Sequence, residues 1–226
     1  MIPVLDKGFI RLVEKMGTDS SIVEAARVSY AGISKGPEKD KKLLFYLMEH
    51  KHMSPFEQVT FKFHVKAPIF VARQWFRHRI GSFNEISARY TEVKDEFYSP
   101  GIFRAQDTKN KQGSVPAQLN HLSCKMILDA ANVDSYLRYK YLLEAGVARE
   151  MARMVLPVNM YTEWYWVVNV RSLLNFINLR ADVHAQEEIR QYADILGKIL
   201  KDECPWTFEA FMKYEWKGTS NSLEKI

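Results

Sequence analysis

The sequence predicts an α+β fold, with a small, mostly antiparallel sheet packed with several long helices in a single domain over residues 1–226. Two segments, 57–65 and 159–170, have the alternating or β-branched and aromatic character of strands. Most of the remaining chain has helical spacing. Because strands and helices do not alternate along the chain, a doubly wound parallel sheet is not expected.

The first elements are predicted from capping and apolar periodicity. Ser21 and Glu24 resemble a capping box, so we expect a helix to begin there and to continue to Tyr30. Pro37 precedes a second helix, over 38–51, with leucines on one face.

The middle of the chain combines one strand with helices and a long irregular region. Residues 57–65 alternate apolar and polar side chains, which predicts a half-buried strand. Pro68 favours the start of a helix within 67–79. Residues 80–115 contain several glycines and prolines and are expected to be irregular or mixed. The pattern over 116–145 is helical.

The C-terminal part is predicted to return to the sheet once and then to remain helical. Its expected elements are a short helix over 148–156, a strand over 159–170, helices over 171–176, 185–203 and 205–214, and a polar, frayed tail.

Charge and cysteine usage restrict the classes of function. The net charge of +5 is compatible with an anionic partner. Cys124 and Cys204 are far apart, and neither the cysteines nor the histidines have metal-ligand spacing, so no metal site is expected. No signal peptide or membrane-spanning segment is predicted, and the expected location is the cytoplasm.

The strongest local feature is the segment 73–90, which interleaves basic, hydroxyl, amide and carboxylate side chains. Guanidinium groups match phosphate oxygens in bidentate pairs, and serine hydroxyls complete such sites. If a helix ends near Arg79, Arg73 and Arg77 share one face. The simpler alternative is a solvated basic helix end and a polar loop. The candidate ligands are Arg73, Arg77, His78, Arg79, Ser82, Asn84, Glu85, Ser87 and Arg89.

Two further segments place arginines near apolar residues. In 169–186, Arg180 is a candidate ligand, and the alternative is a structural pair between Arg180 and Asp182 with Asp182 capping the last helix. Arg149 and Arg153 lie four residues apart, and an exposed basic stripe is the alternative there.

The residues therefore indicate a site that binds an anion and a nucleobase, without a metal or an obvious nucleophile. Neither cysteine has the basic neighbours that activate a thiol. The sequence lacks a Rossmann glycine motif, so a dinucleotide would not be held by a Rossmann turn.

The segment from Arg77 to Tyr90 resembles the signature of flavin-dependent thymidylate synthases. All fixed positions of the pattern Arg-His-Arg-x-x-Ser-x-Asn-Glu-x-Ser-x-Arg-Tyr are met, and Gly81 and Ala88 occupy variable positions. The resemblance covers most of the chain and is weakest over 99–145.

The resemblance implies a homotetramer with active sites at subunit interfaces, FAD as cofactor, and dUMP, 5,10-methylenetetrahydrofolate and NADPH as substrates. It implies FAD contacts from Ser54, Arg77, His78, Arg79, Glu85, Asn169, Arg171 and Asn175. It implies dUMP contacts from Gln74, Arg77, Glu85, Ser87, Arg89, Arg153 and Arg180. His52 and Tyr90 resemble residues on the flavin and folate side, and Arg180 resembles the catalytic residue that polarises uracil.

The reaction implied by this resemblance is the reductive methylation of dUMP to dTMP, with release of tetrahydrofolate. In the family, a hydride from reduced FAD replaces the cysteine attack used by other thymidylate synthases. The alternative from another class is a nucleic-acid-binding module that uses the basic cluster with Trp75, Phe83 and Tyr90 as stacking faces. Interleaved acidic and amide groups argue against that module, so a nucleic acid is not expected as a partner. Because no membrane-spanning segment is predicted, a membrane is not expected as a partner either.

Overall fold

The computed structural model describes residues 1–30, 32–219 and 222–225, and part of the predicted polar tail lies outside these ranges. The described strands are β1 (Ile2–Val4), β2 (Gly8–Met16), β3 (Thr60–Pro68), β4 (Ser82–Glu85), β5 (Ala105–Gln106), β6 (Ser114–Val115) and β7 (Tyr161–Asn169). The described α-helices are α1 (Asp19–Arg27), α2 (Pro37–Glu49), α3 (Ile69–Trp75), α4 (His121–Glu144), α5 (Arg149–Ala152), α6 (Val170–Arg180), α7 (Glu187–Glu203) and α8 (Pro205–Tyr214). The predicted α+β class is confirmed.

The main sheet of the described chain is antiparallel and has five strands in the order β1-β2-β3-β7-β4. The central pair, β3 and β7, aligns Phe63 with Trp166 and Val65 with Trp164. Because side chains alternate between the faces of a strand, these residues share one buried face. The alternation in the sequence therefore correctly predicted which face lies against the core.

Helices α3, α6 and α7 cover this apolar face. Ile189, Tyr192, Leu196 and Leu200 recur at helical spacing along α7 and are all fully buried. Trp75, at the end of α3, contacts Trp164 and Trp166 edge to face, with ring centroids 5.3 and 5.2 Å apart. These contacts belong to one core cluster that extends from β1 to Leu223.

The N-terminal hairpin of β1 and β2 was not predicted from the sequence. The register between β2 and β3 shifts between Leu12 and Glu14. A bulge places an extra residue in one strand, so the period of two is interrupted. Here the extra residue is Val13, which follows the apolar Leu12 directly. Two consecutive apolar residues break the alternation by which a strand is recognised in the sequence.

Both predicted boundaries of the first helix were wrong. Helix α1 begins at Asp19, one turn earlier than expected, and the backbone N–H of Thr18 donates to Ser21 Oγ at 3.1 Å. Ser21 is thus the third helical residue rather than the cap. Helix α1 ends at Arg27, and a 3₁₀ turn follows over Val28–Tyr30.

The region expected to be irregular contains more structure than its composition indicates. β4 pairs with β7 and forms an edge of the main sheet, while β5 and β6 form a separate two-stranded hairpin. The helix predicted from Pro116 begins only at His121, where Asn120 Oδ1 accepts from the N–H of Ser123 at 3.0 Å. None of the described helices combines enough length with enough apolar character to cross a bilayer.

Candidate active site

Arg180 is the last residue of α6 and meets the turn that follows α3. Its Nε donates to His78 Nε2 at 3.0 Å, and its Nη2 donates to the backbone oxygen of Gln74 at 3.4 Å. Helix α3 ends at Trp75, so His78 lies beyond the helix and points back towards α6. The expected face shared by Arg73 and Arg77 does not form, because the helix stops between them.

Among the described residues, no carboxylate forms an ion pair with Arg180. Burial, followed by the neighbouring charge of Arg180, lowers the pKa of His78 to about 4. His78 is therefore neutral at pH 7 and accepts a hydrogen bond from Arg180. Burial, followed by the charge of Arg77, lowers the pKa of Arg180. Two like charges side by side favour the binding of an anion.

The Arg180–Asp182 pair that the sequence allowed is not formed. Asp182 instead accepts the backbone N–H of His184 at 2.9 Å and that of Thr219 at 3.1 Å. The residue before α7 is Gln186, so Asp182 does not cap that helix either. Arg180 is left with a neutral partner, which favours its interpretation as a ligand.

Glu85 occupies the end of β4 and faces a cavity. Thr162 Oγ1 in β7 donates to Glu85 Oε1 at 2.6 Å. Both residues line a cavity of about 370 Å³, and Arg153 and Lys66 contribute to the same wall. Thr162 was not predicted as a site residue, although a hydroxyl on the otherwise apolar buried face of β7 is an informative exception.

Arg89 and Arg153 both bond to one glutamate, Glu150. Arg89 Nε donates to Glu150 Oε2 at 3.1 Å, and Arg153 Nε donates to the backbone oxygen of Glu150 at 3.4 Å. The backbone N–H of Arg89 donates to Ser87 Oγ at 3.3 Å within a turn. These predicted phosphate ligands are close together, but Arg89 already has a carboxylate partner.

A second group of predicted residues lies at the other end of α6. His52, Ser54 and Arg171 line a cavity of about 830 Å³. Arg171 Nη1 donates to Glu57 Oε1 at 2.6 Å. Arg171 and Arg180 are nine residues apart in α6, so they are about 14 Å apart along its axis.

The remaining predicted residues differ in what they contact. Asn169 caps α6, since its Oδ1 accepts the N–H of Ser172 at 2.9 Å. Asn175 is exposed on α6, and Arg79 and Tyr90 are exposed near β4. The capping bond uses Oδ1 of Asn169 and leaves its amide N–H groups available to a ligand.

Gly81 connects the His78 turn to β4 and fits closely against β7. A Cβ atom at this position would lie 2.8 Å from Trp166 Nε1 and 2.9 Å from the backbone oxygen of Val167. Although Gly81 occupies a variable position of the signature, a larger residue here would push the turn away from the sheet.

The thiols lie outside this arrangement. Cys204 is buried, and burial raises the pKa of its thiol to about 12. Cys124 is partly buried on α4. Within the described residues, no group of three or more histidine, cysteine, aspartate or glutamate side chains is placed to hold a metal ion.

The sequence matches a known family over most of its length. The family described as thymidylate synthase complementing protein matches residues 11–206. A flavin-dependent thymidylate synthase of Thermosipho africanus is 60% identical over 217 residues, covering 95% of each chain. One from Thermus thermophilus is 54% identical over 225 residues, covering 100% of this chain and 83% of its own.

The fold matches solved structures of a related methylase. The crystal structure of a UMP/dUMP methylase PolB from Streptomyces cacaoi bound with 5-Br dUMP has a TM-score of 0.87 and 34% identity, covering 96% of this chain and 100% of PolB. The structure of PolB bound with 5-Br UMP has a TM-score of 0.86. These matches bear out the resemblance found in the sequence: the chain belongs to the flavin-dependent thymidylate synthase family.

Proposed function

We propose that the protein methylates dUMP to dTMP, with 5,10-methylenetetrahydrofolate as the carbon donor and NADPH-reduced FAD as the hydride source, and releases tetrahydrofolate. The observation that carries this proposal is the Arg180–His78 pair. It sits at the Arg-His-Arg signature, and its cation has a neutral partner and lies next to Arg77. Family membership and the likeness to a UMP/dUMP methylase support the substrate.

Arg180 would act on the pyrimidine as a fixed cation. Among the described residues, two of the five N–H groups of its guanidinium have protein acceptors, through Nε and Nη2. The other N–H groups are available to the carbonyl edge of uracil. Because His78 and the Gln74 carbonyl hold the group in place, its charge is oriented before negative charge develops on the ring.

The residues present fit a flavin dinucleotide. Exposed Arg77 and Arg79, for which the described part of the chain supplies no carboxylate partner, are suited to an anionic pyrophosphate. His52, Ser54 and Arg171 line a cavity large enough for part of the cofactor. The proposed FAD ligands are Ser54, Arg77, His78, Arg79, Glu85, Asn169, Arg171 and Asn175. When bound, FAD would supply the hydride chemistry, so no protein nucleophile would be needed.

The remaining proposed contacts are assigned by position in the chain. Gln74, Glu85, Ser87, Arg89 and Arg153 would bind dUMP together with Arg77 and Arg180. His52 and Tyr90 would line the flavin and folate side. The single core cluster supports treating residues 1–226 as one domain, and the free cysteines are compatible with a reducing cytoplasm.

We further propose that the active protein is a homotetramer with active sites between subunits. An apolar stripe on α4, formed by Leu122, Met126, Val133, Leu137 and Tyr141, is 59–71% exposed and repeats at intervals of four and seven residues. Exposed apolar patches of this kind mark interaction surfaces. The predicted ligands are divided between the two ends of α6, so a site that uses both groups could be completed by a second copy of the chain. This supports a second copy as the partner that covers the stripe on α4.

The reaction is tested by incubating the protein with dUMP, methylenetetrahydrofolate and NADPH, with and without FAD, and measuring dTMP. We expect FAD-dependent dTMP, and the double variant Cys124→Ser/Cys204→Ser should remain active. Absence of dTMP with bound FAD and dUMP would contradict the proposed reaction. Loss of turnover in the folded double variant would contradict the mechanism without a thiol.

The assembly is tested by light scattering after size exclusion. We expect a mass near four times 26.4 kDa for the protein and a smaller species for Leu122→Glu/Leu137→Glu, because two charges would be buried in the interface. Arg138→Ala on the same helix is the control, since Arg138 is exposed and pairs only locally with Asp134. A monomeric wild-type protein, or an unchanged mass in the double variant, would refute the proposed interface.

A further inference from the structure

Glu188, in the first turn of α7, is a buried carboxylate whose bonds lead towards the proposed nucleotide site. Its Oε1 accepts from Arg104 Nη2 at 2.7 Å and from the hydroxyl of Tyr98 at 3.1 Å. Its Oε2 accepts from Gln186 Nε2 at 2.9 Å. The side chain of Glu188 is only 4% exposed, so water has little access to its carboxylate.

Glu188 is held in its charged form. Burial alone would raise its pKa, but the hydrogen bond and the charge of Arg104, aided by Gln186, bring the pKa below its ordinary value. Arg104 also donates through Nε to Ser114 Oγ at 2.8 Å, which anchors it to β6. An ionised carboxylate only accepts hydrogen bonds, so Gln186 must direct its NH₂ group towards it.

The orientation of Gln186 determines that of Gln74. With its NH₂ group turned to Glu188, Gln186 presents Oε1 to its other neighbour, and Gln74 Nε2 donates to that oxygen. This bond uses Nε2 of Gln74, so Oε1 of the same amide points away from Gln186. Gln74 is also the residue whose backbone oxygen holds Arg180.

We propose that Glu188 and Gln186 are positioning residues that fix the polarity of the Gln74 amide, so that Gln74 Oε1 accepts a hydrogen bond from the nucleotide. The donors available on dUMP are the N3–H of uracil and the 3′-hydroxyl of the sugar. An amide flipped by 180° would present a donor instead and could not accept a hydrogen bond from either group. This inference rests on the proposed function, since it takes dUMP as the ligand.

The hairpin of β5 and β6 thereby contributes to nucleotide recognition without being required to touch the nucleotide. Arg104 lies in the region where the family resemblance is weakest, yet it supplies the cation that keeps Glu188 ionised. The chain of bonds runs from Arg104 through Glu188 and Gln186 to Gln74. Each bond in it runs from an N–H donor to an oxygen acceptor, so the amides of Gln186 and Gln74 are held in one orientation.

The test compares Gln186→Leu with Gln191→Leu in the FAD-loaded protein. Gln191 is a matched control, because it also lies on α7 and donates to a glutamate, Glu187, at 3.2 Å, but takes no part in the chain to Gln74. Dissociation constants are measured by calorimetry for dUMP, for N3-methyl-dUMP and for 2′,3′-dideoxyuridine monophosphate.

We expect wild-type protein to bind one of the two analogues more weakly than dUMP, and the affected analogue identifies the donor. A single hydrogen bond corresponds to a roughly threefold to tenfold difference in Kd. Gln186→Leu should lose most of this discrimination, while Gln191→Leu should keep it. Glu188→Gln should lose part of it, because a glutamine at this position can donate as well as accept.

Discrimination that persists in Gln186→Leu, or that falls equally in Gln191→Leu, would overturn the inference. So would wild-type protein that binds dUMP and turns it over but treats both analogues like dUMP. A wild-type protein that fails to bind dUMP would instead refute the proposed function, and the inference with it. Melting temperatures measured in parallel separate a loss of fold from a loss of recognition.

Discussion

The sites around Arg180 and Arg89, two predicted substrate ligands, differ in how the charge of the arginine is balanced. Arg180 is partly buried, bonds to a neutral imidazole and lies near the like charge of Arg77. Arg89 is exposed and bonds to the carboxylate of Glu150. The sequence predicts both as substrate ligands, and only their partners distinguish them.

The difference shows that the residue type alone does not define an electrostatic role. The charge of Arg180 has no carboxylate partner in the described part of the chain and is fixed in place, which is what stabilising a developing negative charge requires. The charge of Arg89 is screened by water and by Glu150, and exposed pairs of this kind contribute little to stability. We therefore expect Arg180 to act in catalysis and Arg89 to act in binding.

Replacing Arg180 should have the largest effect. Arg180→Ala removes a fixed cation from the pyrimidine, and loss of one preorganised electrostatic group lowers kcat by about 10²–10³-fold. Arg89→Ala should instead raise KM for dUMP more than it lowers kcat. Steady-state kinetics on FAD-loaded protein measure both. Near-wild-type turnover by Arg180→Ala would contradict the assignment of Arg180 to catalysis.

Gly81→Ala should disturb the turn that joins His78, the partner of Arg180, to strand β4, which precedes Arg89. The added methyl group would contact Trp166 Nε1 and the Val167 oxygen too closely, and overpacking of this kind costs about 1–3 kcal/mol. The control is Gly101→Ala, where a Cβ atom meets nothing within 4 Å. Thermal melting should show a lower Tm for Gly81→Ala only. Equal stability of both variants would show that the turn can adjust.

His78 should make the Arg180 site sensitive to acid. Its native pKa of about 4 lies below its ordinary value of 6.5, so the unfolded chain binds a proton that the native protein does not between these values. Stability should therefore decrease as pH falls from about 6.5 to 4. Urea unfolding at several pH values measures this slope, which should be shallower in His78→Gln. An unchanged slope would contradict the neutral imidazole.

Releasing Arg89 from its partner should have the smallest effect. Glu150→Gln removes the carboxylate and leaves Arg89 free for phosphate, which should strengthen dUMP binding by a few fold at most, since exposed pairs are worth about 0–1 kcal/mol. The unfolding free energy should hardly change. Calorimetric titration with dUMP measures the affinity, and a large loss of binding would show that Glu150 itself positions the ligand.

The sequence alone determined the fold class, the β3 and β7 strands, the long helices and the family. Strong alternation and helical spacing report burial directly, because one face of each element must leave water. The fourteen-residue signature identified the family because its fixed positions are adjacent in the chain. Where a bulge interrupted the alternation in β2, the same reasoning failed.

Only the tertiary structure decided what each polar group contacts. Arg180 contacts His78, 102 residues earlier in the chain, and not Asp182, and Thr162 contacts Glu85 across 77 residues. The network of Glu188 joins a hairpin, a loop and two helices through single hydrogen bonds. Hydrogen bonds depend on distance and direction in space, and contacts between residues far apart in sequence leave no periodic pattern in the chain.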